Sequence, residues 1–397
     1  MGRRQRGLWL AQGGMCMLLA ACAAGSANAA SGGVASGTGP PPVTVLTPGA
    51  DNGNGDIFLA PQGGGGYASG PEIVSDTGKL IWFHALPSGT VVTDFRTQTY
   101  LGRPVLTWFQ SSGGRGGGED VIYDDHYKQI ATIRPGNGYQ PDFHEFLITP
   151  WNTALITAIN VTSANLTSIG HSANQPVRDG AVQEIDIKTG KVLFQWDSAD
   201  HVPYGDSQVP VPSRGTPWDW FHINAVHLDT DGNLLISSRH TWTVYKVNRH
   251  TGTIIWQLGG KHSSFTLKAA PGQVLDQAGE IFAWQHDPEG LGNGEYTVFD
   301  DESNGAVPLL SHSRAVTVNL DVATHVATLV AADNQPEGLV AGATGNAQTT
   351  RDGDLFVSWG GLSYFTEFSP SGRLLFNAKL PSGVATYRAY RLPWHPA

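Results

Sequence analysis

The chain has 397 residues, a net charge of −10 and no basic stripe, which argues against nucleic acid as a partner. Its 50 Gly and 24 Pro accompany 12 Trp, 15 Phe and 11 Tyr, so many tight turns alternate with enough apolar mass for a large core. No apolar run sustains a 3.6-residue period, which excludes long helices and leaves an all-β reading.

Residues 1–30 read as a signal peptide. Arg3, Arg4 and Arg6 precede an apolar stretch from Met15 to Ala24, and Ala27-Asn28-Ala29 is a small-residue cleavage pattern. The stretch is short and interrupted by glycine, a poor membrane span. A second reading stands beside the first: Leu19-Ala20-Ala21-Cys22 has the form of a bacterial lipobox, in which Cys22 is acylated and attaches the chain to a membrane. Either reading predicts export, as a secreted protein or as a lipoprotein on the outer side of the cytoplasmic membrane. Residues 31–50 follow as a Gly/Ser/Pro-rich linker. Residues 51–397 are expected to form one domain. Cys16 and Cys22 both fall in the leader, so the body is expected to have no disulfide.

Along the body one pattern recurs: an apolar strand, a polar turn ending in Gly, then an apolar strand rich in Trp or Phe. It appears as EIVSDTGKLIWF at 72–83, EIDIKTGKVLFQW at 184–196, YKVNRHTGTIIW at 245–256 and EFSPSGRLLF at 367–376. VIYDDHYKQIATI at 121–133 is a degenerate copy. Each is a hairpin signal, with Gly where the turn needs positive φ. A second hairpin precedes most copies, as in FHEFLITPWNTALITA at 143–158 and FHINAVHLDTDGNLLIS at 221–237. Two hairpins in tandem, repeated at intervals of roughly 40 residues, predict a six-bladed β-propeller of four-stranded antiparallel blades. The blades fall near 55–87, 95–136, 143–197, 221–259, 285–332 and 345–380. The first lacks an inner hairpin, and the C-terminal YRAYRL at 387–392 is expected to complete it and close the ring.

In a propeller the first strand of each blade lines the axis. Three inner strands begin with histidine, at His144, His222 and His286, while the sixth offers Asn346 and Gln348. Matched repeat positions converge at one end of the channel, so the three histidines are expected to meet. They suit group-transfer chemistry, and three histidines also suit a metal. Asn224 shares a strand face with His222. Arg239 ends an otherwise apolar strand, where a guanidinium can fork onto an anion. His227 is expected on the opposite face in a structural role. The remaining histidines, His240 among them, fall outside the repeat register and receive no role.

With these residues in hand, DFHEFLIT, the 184–202 run, PWDWFHINAVHLDTDGNLLISSRHTWTVYKVNRHTGTIIWQLGG, FAWQHD with the later VFDDESN, and TYRAYRLPW resemble the arylsulfotransferase family. The resemblance runs from about residue 72 to the C-terminus. It implies a six-bladed propeller that moves a sulfuryl group from an aryl sulfate donor to a phenolic acceptor through a sulfohistidine, without nucleotide sulfate. It implies His286 as nucleophile, and His144, His222, Asn224 and Arg239 as groups around the sulfuryl oxygens. Tyr387 matches a channel tyrosine. No metal and no cofactor are implied. The family's bacterial enzymes carry an N-terminal β-sandwich and a disulfide, from which this sequence departs. Two other functions stay open: a binding propeller without turnover, and an aryl sulfatase that uses water as acceptor. Donor, acceptor and oligomeric state are not legible in the sequence.

Overall fold

The computed structural model describes residues 39–49, 53–62, 64–112, 117–213 and 215–397. The signal peptide, the lipobox at Cys22 and residues 31–38 of the linker lie outside them. The described chain is all-β: six sheets of four or five strands, with only short helical turns. Each predicted blade corresponds to one sheet. No helix among the described residues is long and apolar enough to cross a membrane.

The repeat forms hairpins because its turn glycine takes the left-handed conformation in every full copy: Gly78, Gly190, Gly252 and Gly372 have φ between 71 and 74°. In the degenerate copy Tyr127 takes φ 60° at the equivalent place. The copy therefore keeps the turn and bears the strain of a side chain there.

Successive residues of a strand face opposite sides, so one blade contributes to two cores. Ile57 and Leu59 pack with Phe356 and Phe365 of the last blade, whereas Phe58 and Ile73 pack with Phe95 and Trp108 of the second. The same alternation continues around the ring. Leu234 and Ile236 join the third blade's Leu155 and Val182, while Leu235 and Val244 join the fifth blade's Val298 and Val316. The second and third blades meet at Ile122 and Ile156, and the fifth and sixth at Phe299 and Val357.

Three strands come from outside the repeat, of which Thr266–Ala269 pairs parallel with Val326–Asn334 as the outermost strand of the fifth sheet. Thr386–Leu392 pairs antiparallel with Asp56–Pro61 and is the inner strand of the first sheet. Thr44–Thr47, inside the stretch read as linker, instead pairs with Leu374–Lys379 as the outermost strand of the sixth sheet. Its backbone groups find partners on an edge that would otherwise be open. The linker expected over 31–50 therefore ends earlier than composition suggests.

Arg391 fastens the C-terminal strand to the rest of its own blade and to the sixth. Its guanidinium lies 2.6 Å from Asp76, 3.2 Å from Glu367 and 3.2 Å from the Gly55 carbonyl, and is 1 % exposed. Asn346 and Gln348 are turned to the same task, bonding the backbone of Ala389 and Arg391. Arg391→Met strands the buried Glu367 and is expected to lower the unfolding free energy by about 3–5 kcal/mol in urea titration, with Glu367→Gln added on top recovering part of the loss.

Candidate active site

His144 and His222 meet, His286 lies near enough to feel both, and the three are mounted alike. His144 Nδ1 lies 2.6 Å from Asp142, whose carboxylate also accepts the Thr157 hydroxyl at 2.9 Å. His222 Nδ1 lies 2.7 Å from Asp219, and His286 Nδ1 lies 2.6 Å from Asp301. An aspartate on Nδ1 fixes the ring and its tautomer, and leaves Nε2 as the nitrogen able to react. The His144 and His222 rings meet edge to face, with centroids 5.2 Å apart. Tyr387 closes on His144 at 5.8 Å and packs with Phe143.

His286 is the most deeply buried of the three. It is 1 % exposed. Burial, followed by Arg239, His144, His222 and Arg388, holds its imidazole well below the ordinary 6.5. It is a neutral ring beside cations, with a lone pair on Nε2.

Its carboxylate partner is held by a second buried cluster. Arg314 bonds Asp300 at 2.8 Å, Glu302 at 2.9 Å and the carbonyls of Val274 and Ile281. This pins the turn 300–303, which presents Asp301 to His286 and the Ser303 carbonyl to Arg239. Arg239 donates to Ser303 and Gly342 carbonyls at 3.2 and 2.8 Å and lies over Trp284. Asn224 donates through its amide to the carbonyl of Gln285 at 2.6 Å, tying its strand to the one that carries His286. A ligand role was expected from sequence; in the structure the amide nitrogen makes this backbone bond.

Two histidines read as bystanders belong to the channel. His240 lies against His222 with centroids 4.5 Å apart, and its Nε2 is 3.4 Å from Arg239. Burial, His222 and Arg239 push it down to about 3. His227 was expected to face away from the channel. The strand register slips by one residue between Ile223 and Ala225, so Asn224 bulges and His227 turns inward. It reaches Asp287 at 3.0 Å and Glu145 at 3.2 Å. Against its burial, those carboxylates push it up to about 10.

His227 belongs to a buried ionic network across the channel. Arg388 approaches Glu145 at 2.9 Å, Asp287 at 3.2 Å and Asp94 at 3.4 Å. Arg96 pairs with Asp94 at 2.7 Å and with Glu145, and the Tyr390 hydroxyl donates to Asp94 at 2.8 Å. Glu145, His227 and Asp287 have the spacing of a metal site, but Arg388 already lies between the two carboxylates. Asp219, His222 and His240 also have that spacing, and there the Arg239 guanidinium adjoins His240. A dication fits neither place without displacing a cation.

The supporting aspartates were legible only in hindsight. Asp142 and Asp219 stand two and three residues before their histidines, and Asp301 lies in the 298–304 stretch. Nothing in the sequence marked Arg388 as a hub, since its partners come from four other blades.

Residues 96–380 match a family model described as arylsulfotransferase (ASST). No curated protein matches. Among solved structures, the chain is similar to a protein of unknown function from Bacteroides caccae, at 15 % identity, covering 84 % of this chain and 98 % of that one, with TM-score 0.48. It is also similar to an inactive variant of virginiamycin B lyase from Staphylococcus aureus with quinupristin, at 8 % identity over 87 and 88 % of the two chains, with TM-score 0.42.

The shifted histidines contribute to the pH dependence of folding with both signs. His286 and His240 take up a proton in the unfolded chain near 6.5 but resist it when folded. The stability they contribute is present above 6.5 and is lost as pH falls, by up to about 1.4 kcal/mol per pH unit for each. His227 has the opposite sign: its contribution is complete below 6.5 and is lost as pH rises through about 10. Buried carboxyls act the other way: burial pushes Glu72 up to about 8, so its contribution grows as pH falls through 8 toward 4.5. Between pH 7 and 5 the urea midpoint of His240→Gln is expected to fall relative to wild type less, or to rise more, than its offset at pH 7 predicts.

Proposed function

The chain belongs to the arylsulfotransferase family, and from that premise we propose that it carries a sulfuryl group from an aryl sulfate to a phenol through His286, without nucleotide sulfate. The observation that carries the reading is the neutral His286, backed by Asp301 and surrounded by His144, His222 and Arg239.

Each half-reaction balances. The Nε2 lone pair of His286 attacks sulfur as the S–O bond to the ring breaks. The departing phenolate takes a proton from His144 or His222. The sulfated ring becomes cationic, and its Nδ1–H stays on the Asp301 carboxylate. Arg239 and the remaining imidazole face the sulfuryl oxygens, much as positioning and charge stabilisation dominate phosphoryl transfer. An incoming phenol returns its proton to the same histidine and attacks sulfur. The N–S bond then breaks and His286 is neutral again. Donor product leaves before acceptor enters, so the kinetics are ping-pong.

Tyr387 borders a cleft of about 280 Å³ with Leu362, Ala343 and Ala385. Its size and apolar walls suit an aromatic ring beside the reacting centre. Export through the leader at 1–30, with lipidation of Cys22 as one form of it, is part of the proposal and is read from the mass of the mature N-terminus.

Two variants test the chemistry. Wild-type protein is expected to release nitrophenol from p-nitrophenyl sulfate, faster with added phenol and with no nucleotide. His286→Ala is expected to abolish release. Asp301→Asn keeps the shape but removes the carboxyl that fixes the Nδ1 side of the ring, and is expected to lower kcat by about 10²–10⁴-fold. Release unaffected by phenol would indicate a sulfatase. Equal release by wild type and His286→Ala would remove the nucleophile assigned here.

A further inference from the structure

The buried network has more order than charge balance requires. Arg388 touches one residue adjacent to each part of the reacting centre. Glu145, its partner at 2.9 Å, follows His144. Asp287, at 3.2 Å, follows His286. The carbonyl of Asn224, two residues past His222, accepts from Nη2 at 3.2 Å. Arg388 itself follows Tyr387, and its guanidinium lies over that ring at 5.1 Å. It is 1 % exposed, and it is presented by the C-terminal strand, far in sequence from every strand it holds.

We infer that Arg388 is a positioning residue for the transfer reaction, a single guanidinium that sets the spacing of the strands carrying His144, His222 and His286. A planar fork with five donors can satisfy several fixed acceptors at once, which a lysine ammonium on a flexible stem cannot do. Its neighbours need it. Asp287 holds φ 50°, an uncommon value for a non-glycine residue, directly after the nucleophile. Such a conformation persists only where surrounding contacts over-determine it, and here they come from Arg388 and His227.

Arg388 also acts at a distance on the ring it positions. The charged and titratable groups facing His286 are Asp301 from its own blade, Arg239 and His222 from the fourth, His144 from the third and Arg388 from the C-terminal strand. Loss of Arg388 removes one of the cations that keep His286 deprotonated. A purely structural residue would leave that titration alone.

The inference rests on the transferase reading, so its test includes a measurement that needs no turnover. Arg388→Met and Arg388→Lys are compared with wild type for kcat and KM on p-nitrophenyl sulfate with phenol, for the pH profile, and for the titration of the His286 ring followed by NMR. Arg388→Met is expected to lower kcat by about 10²-fold with KM changed less than about 3-fold, the size expected for reacting groups displaced by about 1 Å. The acid limb of its profile and the NMR titration both move to higher pH. Arg388→Lys keeps the limb near its wild-type position and recovers about tenfold in kcat, because charge returns but the fork does not. A folded Arg388→Met with wild-type kcat and an unmoved His286 titration overturns the inference. So does a kcat loss with no movement of the titration, which assigns Arg388 to scaffolding alone. If Arg388→Met fails to fold, Arg388→Lys decides: wild-type kcat there sinks the idea. If wild type turns over no aryl sulfate, the transferase reading fails on that result, while the NMR comparison still reports whether Arg388 controls the ring.

Discussion

A small sheet with two apolar faces must be covered on both, and everything else in this molecule follows from how that is done. Each blade sends alternate residues into the cores on either side, Phe58 one way and Leu59 the other. No blade can bury its surface alone. A ring satisfies every face, and it forces the inner strands to gather around one axis. The histidines are brought together by apolar residues that never touch them.

Gathering six inner strands also concentrates backbone and charge where water is scarce. Unpaired charges there would be costly, so they occur in matched sets. Asp94, Glu145 and Asp287 face Arg96, Arg388 and the His227 imidazolium across the channel. Above them, three aspartates hold three imidazoles by the same nitrogen. The two layers are linked through adjacent residues: Glu145 to His144, and Asp287 to His286. The stability of the channel and the geometry of the reacting centre are therefore not separable properties. Positive φ at His222, Trp284 and Asp287 places backbone strain at the same level. A reacting centre that borders a buried layer of paired charges has little freedom to relax, which suits chemistry that depends on positioning.

Much of this was legible beforehand, for identifiable reasons. Gly78, Gly190, Gly252 and Gly372 mark the same turn because only glycine takes that φ freely, so the hairpins could be counted from the sequence. His144, His222 and His286 stood out because a repeat maps equal positions onto equal places. The reading failed where the local rule was broken. A strand with period two predicts His227 on the far face, and a single bulged residue at Asn224 reverses it. Thr44–Thr47 sits in a stretch composed like a linker, yet an open sheet edge recruits it. His240 lies outside the register and enters the channel by packing on His222.

The sequence by itself determined the elements, the turns, the number of blades and the three histidines, because each of these rests on contacts within a repeat or on the repeat's own period. The folded arrangement alone decided which nitrogen of each ring is engaged, that burial and nearby cations keep the His286 imidazole neutral, and that Arg388 joins strands more than 90 residues away from it. Those properties depend on distances between residues remote in the chain and on how deeply they are buried. Coulomb energy and desolvation respond to both, and neither is written in the order of the residues.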